Sequence, residues 1–325
     1  MDGESSRHNK RGSILQDLNL KPLSVPLEDL KRITKNFSED LLLGEGGFGK
    51  GVRENGSMIA VKKLTSVMPG IHNRQFENEA HHLMGLNHLN IVRLVGYRSE
   101  TETIPTEHDG KIVDAEKPEI LLCLEYLPKG SLRNHLSDES TGLGWGTRYK
   151  IIKDICNGLH YLHEEGLTPI IHMDLKPTNI LLDDNMVPKL ADFGLSRLFG
   201  EEKTRTYTTS RYGILGYMAP EYINRGIITK QLDIFSLGVI IIEIVTGRKD
   251  YPDEGETLSQ EYIELILNNW RNRMDEAPGE HECCQIEKCI EIALHCVKLE
   301  RTKKPTIGQI VEMLSREVAP LASYV

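Results

Sequence analysis

The feature that most constrains the fold of this chain is a change of texture near residue 127. Before it, apolar residues fall in short runs broken by glycine and polar turns: Leu41–Leu43, Ser57–Leu64, Ile91–Tyr97 and Ile120–Tyr126. Such runs read as strands. Asn55-Gly56, just ahead of the second run, is a hairpin turn signal. Gln75–Leu86 has helical period, and Leu27–Phe37 reads as a short lead-in helix. The polar stretch Ser99–Pro118 reads as a long exposed loop. After 127, Ile151, Ile155, Leu159 and Leu162 recur at helical spacing. Leu237–Val245 is apolar all round, as in a helix buried at the centre of a lobe, and Tyr262–Trp270 and Ile286–Val297 also read as helices. The expectation is an α+β molecule of two lobes: a small antiparallel β-sheet lobe with one main helix, then a larger, mainly helical one. Its expected boundaries are a polar N-terminal tail with the lead-in helix at 1–36, the first lobe at 37–127, the second at 128–317 and a C-terminal tail at 318–325.

Bulk properties narrow the functional classes. With 39 Lys+Arg against 48 Asp+Glu the formal net charge is −9, which argues against a non-specific nucleic-acid binder. Cys123 and Cys156 sit in apolar runs and read as core residues, while Cys283, Cys284, Cys289 and Cys296 lack regular zinc spacing. This cysteine usage fits a reducing compartment. The first twenty residues have no apolar core of signal-peptide length, and Asp2 breaks the myristoylation pattern. The most apolar stretch, Leu237–Val245, is too short to span a bilayer. The expected location is cytoplasmic, with any membrane recruitment through partners.

Three stretches carry chemistry. In Gly44-Glu45-Gly46-Gly47-Phe48-Gly49, glycines let the backbone approach a ligand and offer amides to phosphate oxygens. Gly44–Lys50 also fits G-x-x-x-x-G-K, but Gly51 stands where that phosphate loop needs Ser or Thr, and a hairpin follows instead of a helix. The other phosphate design places a lysine on the next strand. Ile59-Ala60-Val61-Lys62 supplies it, with Lys62 on the face of Ala60. A lysine in an apolar strand wants a counter-charge, and Glu79, sharing a helix face with Phe76 and Leu83, is in reach. The third stretch is Ile171-His172-Met173-Asp174-Leu175-Lys176-Pro177-Thr178-Asn179, followed by Leu190-Ala191-Asp192-Phe193-Gly194. Phosphoryl transfer needs a carboxylate to orient the attacking hydroxyl, a cation for the moving charge and oxygen ligands for a metal. Asp174, Lys176 and the pair Asn179 with Asp192 provide these in order.

On these motifs, with Ala219-Pro220-Glu221, Asp233-Ile234-Phe235-Ser236-Leu237-Gly238 and Pro305, the chain from about Phe37 to Leu314 resembles eukaryotic protein kinases. It most resembles plant receptor-like and receptor-like cytoplasmic serine/threonine kinases. The resemblance implies the bilobal kinase fold, ATP and Mg2+ as cofactors, and transfer of the γ-phosphate to protein Ser/Thr hydroxyls. It implies Asp174 as catalytic base, with Lys176 and Asn179 beside it, and Asn179 and Asp192 as metal ligands. Leu43, Gly44, Gly46, Gly49, Lys62, Glu79, Glu125, Leu127 and Asp192 would line the nucleotide site. Lys62 would hold the α- and β-phosphates, Glu125-Tyr126-Leu127 would be the hinge and Leu124 the gatekeeper. Asp233 would brace the catalytic loop. The implied partners are a protein substrate and a membrane receptor or co-receptor kinase.

Four departures stand out. Aligned on Lys50-Gly51, the glycine loop is three residues short and lacks the valine that covers adenine; Val52 reaches that role only by a one-residue shift that turns it to the opposite face. Met173 replaces the arginine before Asp174, as in the non-RD kinases. Ile214 stands where a threonine usually contacts the catalytic Asp and Lys. Lys304 replaces the arginine that pairs with the residue at Glu221. The alternative reading is therefore a pseudokinase or ATP-binding signalling scaffold. A third reading, an ATPase or small-molecule phosphotransferase, leaves the segment ending at Ala219-Pro220-Glu221 unexplained. Hydroxyls at Thr204, Thr206, Tyr207, Thr208, Thr209 and Ser210 beside Lys203, Arg205 and Arg211 are expected phosphorylation sites.

Overall fold

A computed structural model describes residues 22–44, 48–52, 56–63, 71–108, 110–136, 142–199, 206–208, 212–252, 256–272 and 277–316. The chain divides into two compact units. One holds the described residues up to Asn87 and Val92–Leu127; the other holds His88–Ile91 and the described residues from Pro128 onward.

The first unit is built on a six-stranded sheet ordered β1-β5-β6-β4-β3-β2. Its strands are β1 (Leu23–Ser24), β2 (Leu42–Gly44), β3 (Phe48–Val52), β4 (Met58–Lys63), β5 (Leu94–His108) and β6 (Lys111–Glu125), with helices α1 (Leu27–Ile33) and α2 (Ile71–Gly85). The pairings are antiparallel except β1 with β5, where Leu23 and Ser24 lie parallel to Gly96 and Tyr97. Alternation in β4 buries Ile59 and Val61 with Val95, Leu121, Cys123 and Leu30. Leu30, on α1, has no exposed surface, so the lead-in segment is part of the core. The helix stops at Ile33, short of the expected Phe37. Thr34 Oγ1 donates to Leu30 O at 2.7 Å and accepts from Phe37 N at 3.1 Å, and Lys35, Asn36 and Phe37 all take left-handed φ of 49–56°.

One expectation is corrected here. Ser99–Pro118 is not a loop: β5 and β6 pair from Leu94↔Leu124 to His108↔Lys111, with an irregularity between Leu94 and Gly96. Thr, Ile and Val favour the extended backbone, and both faces of a hairpin that outruns its sheet are solvated, so its composition imitates a loop. In the glycine-loop strand the register pairs Gly51 with Ile59, Lys50 with Ala60 and Val52 with Met58.

The second unit is mainly helical: α3 (Arg133–Leu136), α4 (Trp145–His160), α5 (Pro220–Arg225), α6 (Lys230–Thr246), α7 (Glu256–Arg271), α8 (Glu280–Cys296) and α9 (Ile307–Ser315). Short antiparallel pairs join β7 (Ile170–Ile171) to β10 (Arg197–Leu198), β8 (Ile180–Leu182) to β9 (Pro188–Leu190), and β11 (Thr206–Tyr207) to β12 (Ile227–Ile228). Every residue of α6 from Leu232 to Val245 is buried, matching its apolar circumference. It packs closely on α8, where a Cβ at Gly238 would lie 2.6 Å from Cys296 Cβ and 2.9 Å from Ala293 O. Cys156, Cys289 and Cys296 are buried free thiols in this core; burial raises all three pKa values, that of Cys289 to about 12. Among the described residues, no helix is long and apolar enough to cross a membrane, and no group of three or more His, Cys, Asp or Glu is placed to hold a metal ion.

Candidate active site

In the second unit the loop between β7 and β8 is tied down by Asp233. This carboxylate, fully buried on α6, accepts from the backbone N–H of His172 and of Met173, each at 2.8 Å. Its Oδ2 also lies 2.9 Å from His163 Nε2. Three partners on one buried carboxylate satisfy a charge that would otherwise be costly to bury. His163 was not legible as a site residue: it belongs to a π-helical turn, Tyr161–Glu165, that continues α4 and has no motif of its own. Met173 takes φ 68° and is buried, so an apolar side chain occupies the position before Asp174.

Asp174 follows directly. Lys176 Nζ donates to its Oδ2 at 2.6 Å, and Asn179 Nδ2 donates to the same oxygen and to the Asp174 carbonyl, both at 2.9 Å. The carboxylate is thus oriented by a cation and an amide. The Lys176 contact forms although Ile214, with no hydroxyl, is half exposed. Asn179 is locked in turn: its N–H donates to Lys176 O and its carbonyl accepts from Ala191 N, both at 2.9 Å. Asp192 follows Ala191 in a left-handed conformation, φ 66°, which costs a non-glycine residue of order 1 kcal/mol or more. Phe193 behind it is fully buried with its ring 4.8 Å from that of His172, and His172 Nε2 is 3.1 Å from Ala191 O. Residues 88–91 serve this segment too: Ile91 bridges Leu190, and Asn90 Nδ2 donates to Pro188 O at 3.0 Å.

The first unit places the other candidates. Lys62 on β4 and Glu79 on α2 form a buried pair, Nζ to Oε2 at 2.7 Å. The expected partnership is therefore formed, with Glu79 only 2% exposed. Leu43 and Gly44 lie on β2 and Gly49 on β3 opposite Val61; Gly46 lies outside the described residues. Leu124 is buried opposite Ala60. Glu125 ends β6, its Oε1 accepting from Arg93 N at 2.8 Å while its N–H donates to Arg93 O at 3.1 Å. Leu127 is buried. Of the segment with clustered hydroxyls, Thr206 and Tyr207 form β11 and Thr208 N donates to Gly226 O; Thr204, Thr209 and Ser210 lie outside the described residues.

A second network, unmarked in the sequence, holds the end of this segment. Tyr217 Oη donates to Glu243 Oε2 and Arg133 Nη1 to Glu243 Oε1, each at 2.5 Å, and Arg133 also reaches Tyr217 Oη. Burial and then the Glu243 hydrogen bond raise the Tyr217 pKa. Burial opposes charge on Arg133, but its bonds to Glu243 outweigh this and its pKa is raised.

The protein kinase domain family matches residues 37–314. The chain belongs to the protein kinase family. This kinase is 34% identical, over 96% of its length, to receptor-like serine/threonine-protein kinase SD1-7 of Arabidopsis thaliana. It is 37% identical over 93% of its length to cysteine-rich receptor-like protein kinase 6 of Oryza sativa subsp. japonica, and 38% identical over 94% to cysteine-rich receptor-like protein kinase 29 of Arabidopsis thaliana. It spans 37%, 42% and 45% of those three proteins, less than half of each.

Proposed function

We propose that this kinase domain transfers the γ-phosphate of ATP to serine or threonine hydroxyls of a protein substrate, in receptor-linked signalling of the plant type. The observation that carries the reading is the Asp174 carboxylate held by Lys176 at 2.6 Å and Asn179 at 2.9 Å. One oxygen is saturated by donors, and the carboxylate as a whole is fixed in direction. Asp174 accepts the proton of the attacking hydroxyl, and Lys176 spreads positive charge over the transferring group.

The donor set fits a magnesium–nucleotide complex. Asn179 spends its Nδ2 on Asp174, which leaves its amide oxygen as an acceptor, and Asp192 adds a carboxylate. Two such ligands suit a metal that takes its remaining oxygens from phosphates and water. Bound there, the metal supplies neutralisation of phosphate charge. Lys62, oriented by Glu79, binds the α- and β-phosphates. Leu124 and Leu127 cover the base. Met173 supports assignment to the non-RD type, in which no arginine here answers an activation-segment phosphate.

The test is transfer of radiolabel from ATP to a generic basic protein, with wild type and Asp174→Asn. Transfer abolished by the substitution, with the Mg-ATP-dependent rise in melting temperature retained, is the expected result. Nucleotide binding with no transfer by wild type would move the assignment to a pseudokinase.

A further inference from the structure

The β5–β6 hairpin is longer than the sheet that holds its base. β4 pairs with β6 only from Leu121 to Glu125, and β1 with β5 only at Gly96 and Tyr97. From Ser99↔Ile120 to His108↔Lys111 the two strands have no other strand beside them among the described residues. The residues from Ser99 to His108, at about 3.3 Å each, give a ribbon of about 33 Å. Two strands alone are marginal in water, and this pair leaves Ile112 80% and Val113 44% exposed. A third strand along one edge would stabilise it.

The direction of the backbone groups on each edge follows from one bond. Tyr97 O accepts from Val25 N, ahead of α1, so the backbone groups of Tyr97 point away from β6. In an antiparallel pair that direction recurs at every second residue and at the residues opposite. It is therefore shared by Thr101, Thr103, Pro105 and Glu107 on β5 and by Pro118, Glu116, Asp114 and Ile112 on β6. Both prolines, which have no N–H to give, fall in this outward set, as proline within a ladder must. The two edges differ. On β5, Pro105 breaks the outward row in its middle. On β6, Ile112, Asp114 and Glu116 offer outward N–H and C=O groups in succession, and Pro118 ends the row next to the sheet.

Charge sets the kind of strand that this edge accepts. Residues 99–120 carry seven Asp or Glu against two Lys, so −5 of the chain's −9 falls in the hairpin. Like charge disfavours pairing with an acidic strand or with a second copy of the same ribbon, whereas opposite charge favours cross-strand pairing.

We propose that the β6 edge from Ile112 to Glu116 receives a basic, extended segment of a partner protein as an added strand. The main chain of that segment pairs with the outward groups of Ile112, Asp114 and Glu116. Its Lys or Arg residues, alternating with β-branched ones, meet the acidic ribbon. The binding requires neither nucleotide nor phosphate transfer, so it stands or falls independently of the proposed reaction.

The test uses the full chain and a fluorescently labelled, end-capped peptide, Gly-Lys-Val-Lys-Val-Lys-Val-Gly, followed by anisotropy. Its controls are a Glu-for-Lys counterpart and a Pro-for-Val counterpart, which keeps the charge but not the strand-forming residues. Saturable binding of the Lys-Val peptide alone is expected, unchanged in Asp174→Asn. Asp114→Pro removes one outward N–H and should weaken binding about tenfold, or about 1.4 kcal/mol, while the Val113 amide, which faces β5, stays protected from hydrogen exchange. Thr103→Pro makes the same change on the other edge and should bind as wild type does. If Val113 loses its protection, Asp114→Lys, which leaves the backbone groups in place, decides: weakened binding supports the edge and unchanged binding overturns it. No saturable binding, equal binding of either counterpart peptide, or equal effects of Asp114→Pro and Thr103→Pro would also overturn the proposal.

Discussion

Replacing Glu221 by glutamine would test how the second unit carries a buried charge. Lys304 Nζ lies 2.8 and 3.0 Å from the two oxygens of Glu221 and 5.0 Å from the centre of the Phe235 ring. Its side chain has no exposed surface. Burial lowers its pKa from 10.5, and the hydrogen bond and attraction of Glu221 resist that fall. Glutamine keeps the shape and one acceptor but removes the charge, so desolvation acts almost unopposed. Removing one partner of a buried pair costs about 3–5 kcal/mol; the retained amide oxygen sets the expectation near the lower end, about 3 kcal/mol at pH 7. The sign with pH follows from the direction of the shift. The folded-state pKa of Lys304 falls further below its unfolded value, so between the two the unfolded chain binds more protons and stability rises with pH. Urea unfolding of wild type and Glu221→Gln should therefore show a deficit that shrinks from pH 7 toward about pH 9.5, by about 1.4 kcal/mol for each additional unit of depression crossed. A deficit below about 1 kcal/mol at pH 7, or one equal at both pH values, would refute the reasoning.

Two further predictions follow from close contacts. Glu79→Gln leaves Lys62 without its 2.7 Å counter-ion, and kcat/KM for ATP should fall at least tenfold, about 1.4 kcal/mol in transition-state stabilisation, in steady-state kinetics; an unchanged value would break the link between the pair and catalysis. A Cβ at Gly96 would lie 2.8 Å from Leu23 O and 2.7 Å from Val25 Cγ2. Gly96→Val should accordingly displace β1, cost about 1–3 kcal/mol as overpacking does, and speed hydrogen exchange at the Val25 amide, which donates to Tyr97 O at 3.0 Å.

Part of the candidate site's geometry was legible because chemistry confines residue type: a lysine in an apolar strand wants a counter-charge, and Glu79 meets Lys62. The helices of the second unit were legible from period. What escaped had no local signature. His163 becomes a partner of Asp233 only when α4 meets α6, 70 residues apart. Arg133 meets Tyr217 and Glu243 across even longer separations, 84 and 110 residues. The β5–β6 hairpin was misread because solvated strands and loops draw on the same polar residues; its register decides the matter.

The N-terminal segment has a consequence for where this domain starts. Similarity to the protein kinase domain begins at residue 37, yet Leu30 lies wholly inside the first unit and β1 is hydrogen-bonded to β5. A protein trimmed at the similarity boundary would bare the apolar back of β4 and β6 around Val61 and Cys123, and the loss of Leu30 alone is worth about 2–5 kcal/mol. The strap formed by residues 22–34 is thus part of the sheet's own packing, and a pull on the chain ahead of it acts directly on the sheet that carries Lys62.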